Sequence, residues 1–352
     1  MSHGETEAEV VRGPVFLAAL RAAAARVPVW LLCWLVPLLL AAAVAAPWVD
    51  WFAETAANRY EPGDSEAGAS GEVLATLRES FRADHGAAMD ALGARSAQVA
   101  AVLGLVAMLF GAFSAGGWLQ VFLERASGHS VRRFLWGGSR YFWRFVRVWL
   151  LTLLLLAAVS WIVLSWPWNT LVAGMLFGAP GGETEVFTSE RTAVLYGWLQ
   201  TGVHALLFAL VLAWGDFTRT RMALQDSSSA LLAGLGTVIL ILVHPVRTLR
   251  PMLLILIVEA LVLWGAGSVS WGLNAGLGDG GGWGAVFSLF LVGQLALAAR
   301  AICRGARYHA AVRVSRRVVP PLSRPDPWAS RVGGPGGPQY PIDESDDYGV
   351  SL

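Results

Sequence analysis

Lysine is missing from this 352-residue chain, so all 26 basic side chains are arginine. Charged residues of any kind are scarce too, at 14% against 55% hydrophobic. Soluble domains carry about a quarter charged residues, so the balance excludes an ordinary soluble protein and points to lipid. The formal net charge is only +1, which excludes nucleic acid as a partner, since that needs a strong basic excess. Cys33 and Cys303 are the sole thiols. Both lie in apolar runs near predicted cytoplasmic ends, where disulfides are rare, and they read as buried, inert thiols. The six histidines are scattered, with no pair at metal-ligand spacing. No metal site and no cofactor is expected. The glycine-rich stretch 276–282 lacks the lysine and following soluble helix of a phosphate loop and reads as a turn. No nucleophile–base set can be assembled, so no catalytic residue is assigned and the chain reads as a non-enzyme. A lysine-free composition rich in Ala, Gly, Trp and Arg fits a GC-rich bacterial genome.

What is present is apolar length. About 20 mainly apolar residues cross a hydrocarbon core of about 30 Å. Six stretches meet that test: 29–47, 98–123, 148–166, 192–215, 252–270 and 283–302. The stretch 230–243 is apolar but only 14 residues long, which suits an interfacial or re-entrant helix. Short cytoplasmic segments accumulate arginine. With six spans and the N-terminus inside, 21 arginines fall inside and five outside, namely Arg59, Arg78, Arg82, Arg95 and Arg191. Letting 230–243 cross would put Arg247 and Arg250 outside, so it stays on the cytoplasmic side. Tryptophans near the span edges, among them Trp48, Trp143, Trp166, Trp214 and Trp271, suit the interface. The expected fold is therefore all-α: a polytopic transmembrane bundle of about six spans, both ends cytoplasmic, with a short cytoplasmic helix between spans four and five. The membrane domain covers 29–319, in a bacterial inner membrane.

Residues 1–28 form a cytoplasmic segment. Within it, 13–27 reads as an amphipathic helix on the inner leaflet through Val15, Phe16, Leu20 and Val27, or equally as the leading part of the first helix. A rival reading makes the first span a cleaved signal peptide with Ala43-Val44-Ala45 as its site. The external loop 48–97 holds nine acids against four arginines. Its part 60–71 reads as a linker, and 72–92 as a helix with Leu74, Leu77 and Phe81 on one face. Seven of the 16 prolines lie in the tail 320–352, whose composition cannot bury a core and predicts disorder.

Glu259 stands out as the one acid inside a span, where charge costs about 2.5–3.5 kcal/mol on insertion scales. Gln294 lies at similar depth, and His204 somewhat deeper. Together they form a candidate intramembrane polar cluster. It serves either as a proton- or substrate-binding site, or as a protonated glutamate bonded to Gln or His that ties helices together. Small residues Gly104, Ala107, Gly111 and Ala115 suit close helix packing in the second span. Arg132, Arg133, Arg140, Arg144 and Arg147 precede the third span, and Arg300, Arg304 and Arg307 follow the sixth. Anchoring to anionic headgroups accounts for both sets.

Gly215-Asp216-Phe217-Thr218-Arg219, Leu224-Gln225-Asp226, an apolar helix, and His244-Pro245-Val246-Arg247-Thr248-Leu249 then run into a span. This pattern resembles uncharacterised bacterial six-helix membrane proteins related to the membrane domain of membrane-bound glycerophosphodiester phosphodiesterases. The resemblance implies six spans and a membrane-hugging helix between the fourth and fifth. It does not imply phosphodiesterase activity, because the tail is too short for that catalytic domain. Physically, Asp216 and Asp226 flank Arg219 and Arg221. They are expected to pair with these or with Arg247 and hold the short helix down, with His244 and Pro245 ending it. The leading functional expectation is a non-enzymatic protein that organises or assists membrane partners through the acidic loop or the tail. The alternative is a small-molecule or lipid permease working through Glu259, His204 and Gln294.

Overall fold

The computed structural model describes residues 14–57, 71–124, 129–178, 187, 189–277 and 283–318. All regular structure among them is helical. The helices are α1 (Val15–Ala24), α2 (Val27–Ala57), α3 (Gly71–Leu123), α4 (Ser130–Leu164), α5 (Trp166–Trp168), α6 (Met175–Phe177), α7 (Glu190–Gln225), α8 (Ala230–Val243), α9 (Pro245–Leu277) and α10 (Trp283–Val318), with a π-helical turn, Asn169–Gly174, between α5 and α6. Six of them, α2, α3, α4, α7, α9 and α10, are long and apolar enough to span a bilayer. The chain is a polytopic helical membrane bundle. An even number of spans leaves the two ends of the bundle on one face, which is the arginine-rich one.

Hydropathy located each span, yet the helices run well past it. A helix ends where its backbone is broken, not where lipid ends. From Gly71 to Gln98 the chain is rich in Ala, Leu, Glu and Arg, all good helix formers, so α3 reaches 53 residues. The region 48–97 is therefore mostly not a loop. Its residues 48–57 and 71–97 are extensions of α2 and α3, which pack on each other: Trp51 meets His85 edge-on with centroids 6.0 Å apart, and Trp48 lies beside Gly93. Residues 60–70 of the linker, the side chains of Leu74, Leu77 and Phe81, residues 278–282 of the glycine-rich stretch and the tail lie outside the described residues, while Gly71 opens α3 and Gly276 and Leu277 close α9.

Near the other end, α1 is a separate helix closed by a turn at Ala25. Its bonds run from the Ala25 N–H to the Arg21 carbonyl and from the Arg26 N–H to the Ala23 carbonyl. Val15, Phe16 and Leu20 pack on the buried cluster that includes Ala306, Ala310 and Met252. They face α9 and α10 rather than lipid, correcting the expectation of a leaflet-bound helix, while Val27 stays exposed. Small residues explain the close seat, because Ala19, Ala23, Ala306 and Ala310 are all fully buried.

Packing is densest toward the arginine-rich face. α3 and α4 form the most extensive pair, crossing where Gly116 and Gly117 meet Gly137 and Gly138. The alternation of small residues foreseen in α3 is only partly used. Ala115 is buried, but Gly104 has nothing near it.

The short helix falls where expected, at Ala230–Val243. Asp226 ends α7 in the left-handed region, φ 47°, which Asp tolerates better than most residues. The Ser229 hydroxyl then accepts from the Leu232 N–H at 3.3 Å and caps α8. His244 leaves helical geometry, with φ −131° and ψ 56°, as a residue before proline tends to, and Pro245 restarts the chain as α9. Trp214 holds α8 down, its indole N–H donating to the Gly234 carbonyl at 3.0 Å. Trp214→Phe removes that bond at a cost of about 1 kcal/mol. Hydrogen exchange should then quicken in α8 alone; unchanged protection there would mean the indole is not its anchor.

Candidate functional site

A network of charge joins α7, α9 and α10. Arg307 of α10 donates from Nε to Asp216 of α7 at 3.0 Å and from Nη1 to Glu259 of α9. Arg219, one turn on from Asp216, pairs with its other oxygen at 3.1 Å. Arg300 approaches Glu259 at 3.6 Å from a largely exposed position. Asp216 and Arg219 are buried, at 4% and 8% exposure, and Arg219 Nε has no hydrogen-bond partner among the described residues. Two carboxylates thus sit among three guanidinium groups, with Thr218 and Thr220 fully buried beside them.

Helix geometry explains how residues at such different depths meet. Side chains on a helix tilt toward its N-terminus. α9 leaves the arginine-rich face and α10 returns to it. Glu259 therefore leans back toward that face, while Arg307 leans away from it into the bundle.

The polar residues singled out in the spans do not form one cluster; each bonds a different neighbour. Glu259 meets Arg307, Gln294 accepts from the Trp34 indole N–H at 3.1 Å, and His204 Nε2 pairs with the Ser160 hydroxyl at 3.1 Å. Gln294 thus ties α10 to α2, and His204 ties α7 to α4. Glu259 faces the guanidinium groups of Arg307 and Arg300 rather than Gln294 or His204.

The motif between spans four and five is also partnered differently. Asp216 takes Arg219 and Arg307, whereas Asp226 takes Arg144 of α4. Arg221 bonds Gln225 at 3.0 Å and lies over Gly236 of α8. The His244 carbonyl accepts from the Thr248 N–H at 3.1 Å and so starts α9. Arg247 pairs with no acid among the described residues and lines a cavity. Headgroup anchoring is likewise corrected for two arginines after the sixth span. Arg307 turns inward, and Arg304 donates to the Gly111 carbonyl of α3 at 2.6 Å.

Sequence reasoning missed Arg307 because it lies five residues beyond the hydropathic span and resembles a headgroup anchor. Its signal was the spacing of Arg300, Arg304 and Arg307 on one helix that returns past the only acid in a span.

Two hollows open between the helices. One, of about 450 Å³, opens at the arginine-rich face between α1, α9 and α10. The other, of about 480 Å³, is an apolar groove between α4, α7 and α8, floored by Trp214 and Gly234. No group of three or more His, Cys, Asp or Glu gathers as a metal site among the described residues. Comparison with family models, with curated proteins and with solved structures finds no match to this chain.

Proposed function

We propose that this protein is a non-enzymatic, multi-pass protein of a bacterial inner membrane that organises or assists membrane partners, with its arginine-rich face in the cytoplasm. The observation that carries the reading is the pairing of Glu259 with Arg307. The one acid inside a span is occupied by a neighbouring helix, as expected of a group that fixes helix arrangement. His204 and Gln294 have similar interhelical partners. The residues 215–249 and their likeness to six-helix bacterial membrane proteins agree with it.

The competing permease reading needs Glu259 to act on a proton, cation or substrate. Melting and phenotype separate the two. Glu259→Gln leaves Arg307 short of one counter-charge, so on the organising reading both melting temperature and complementation of a deletion strain fall together. Glu259→Gln/Arg307→Gln restores both in part. A Glu259→Gln protein that melts like the parent yet fails to complement would promote the permease.

Orientation is tested separately. With Cys33 and Cys303 replaced by serine, Arg247→Cys should resist an impermeant maleimide in intact cells and react after lysis. Strong labelling of intact cells would reverse the assigned topology.

A further inference from the structure

We propose that the cavity between α1, α9 and α10 is a binding site for a phosphate-bearing anionic headgroup. Its rim carries Arg247 and Arg250 from the first turns of α9 and Arg317 from the last turn of α10. None of these three pairs with an acid among the described residues. That sets them apart from Arg133, Arg144, Arg219 and Arg307, each of which faces a carboxylate. Among the described residues, Glu124, Asp216, Asp226 and Glu259 are all paired within the bundle, and the three cations around the cavity have no acid partner.

Guanidinium forks match phosphate oxygens in geometry as well as charge. The N-terminal turn of a helix adds backbone N–H groups and the positive end of its dipole, and Val246 and Arg247 of that turn of α9 line the cavity. The remaining wall is apolar, with Val15 and Phe16 of α1, Leu254 of α9 and Val314 of α10. A cavity charged at its rim and apolar along its wall fits a molecule that is anionic at one end and hydrocarbon at the other. Its volume of about 450 Å³ lies within the usual range for small-molecule pockets, about 300–1,000 Å³. It opens at the face where lipid headgroups lie. α1 closes one side, so the ligand would also fasten that helix to the bundle.

The test uses the full-length protein in neutral detergent. Thermal melting is followed with short-chain phosphatidylglycerol, short-chain phosphatidylcholine and inorganic phosphate as separate probes. Arg247→Gln/Arg250→Gln/Arg317→Gln removes the rim. Arg132→Gln/Arg140→Gln/Arg147→Gln removes the same charge from the same face outside the cavity. The anionic lipid is expected to raise the melting temperature of the parent, and the second variant, stripped of surface arginines that attract headgroups in general, should keep most of that shift. The rim variant should need at least about 10-fold more lipid for the same shift. Protection by inorganic phosphate alone, lost in the rim variant, would keep the site and assign it to free phosphate. Equal protection by the zwitterionic lipid, or equal loss in the two variants, would overturn the proposal. A rim variant that melts lower without lipid but keeps the parent's lipid response would overturn it as well.

Discussion

Gly137→Val should leave almost no folded protein, and Gly116→Val should do the same. At their crossing the two glycines put backbone against backbone. A Cβ on Gly116 would stand 2.6 Å from the Gly137 carbonyl oxygen and 3.2 Å from the Gly138 Cα, and one on Gly137 would stand 2.7 Å from the Gly116 carbonyl oxygen. No rotamer change relieves such a contact, so α3 and α4 would have to separate. This pair is the most extensive in the bundle, and Trp118, Phe134 and Phe145 are fully buried around it. Overpacking a good core costs about 1–3 kcal/mol when side chains can move; here they cannot, and the loss should exceed that range. Gly117 and Gly138 face the rings of Phe134 and Phe113 instead. Gly138→Ala should be milder, because the tip of the partly buried Phe113 ring can turn aside, whereas Phe134 is fully buried and would be met as far in as its Cγ. Gly104 has nothing within 4 Å, so Gly104→Ala should gain up to about 1 kcal/mol from helix propensity. Yield of monodisperse protein and melting temperature give the order, and a well-folded Gly137→Val protein would show that the crossing is not tight.

Those four glycines indicate which features the sequence made legible. Span number and approximate position were readable because lipid imposes about 20 apolar residues on any crossing helix, and α8 was readable because its 14 residues are too few for one. Helix ends were not, because α3 and α10 continue through polar sequence that lipid does not select against. The doublets Gly116-Gly117 and Gly137-Gly138 were visible as residues, but nothing local shows that they face each other across a helix hairpin. Glu259 was legible by the cost of a charge in a span. Its partner was not, since the meeting of Glu259 with Arg307 depends on α9 packing against α10 and on the opposed lean of the two side chains. Asp216 was noticed for its place in a motif. Its link to Arg307, 91 positions away, is purely tertiary.

Arg307→Gln should be the most damaging single change in the charge network, at about 3–5 kcal/mol, the usual cost of stranding buried charges. It leaves Asp216 and Glu259, both mostly buried, with only Arg219 and the exposed Arg300 as counter-charges. Asp216→Asn and Glu259→Gln should each cost less, because Arg307 keeps one carboxylate in either case. Of the two, Asp216→Asn should cost more, since it also removes the one acid that the buried Arg219 faces among the described residues. Arg307→Lys keeps the charge but loses the planar fork that reaches two helices from Nε and Nη1, and should fall between Gln and the parent. The decisive variant removes everything at once. Asp216→Asn/Arg219→Gln/Glu259→Gln/Arg307→Met strands no buried charge of either sign and fills the Arg307 volume with a flexible apolar chain, so it should recover most of the loss, as replaced buried ion pairs often do. Residues in one network are not additive, with coupling of about 0.5–3 kcal/mol, so the quadruple variant should melt well above the sum of its parts. If instead Arg307→Gln melts like the parent, the three helices are held by apolar packing alone. The charges would then be free for another task, and the permease reading would gain what the organising one loses.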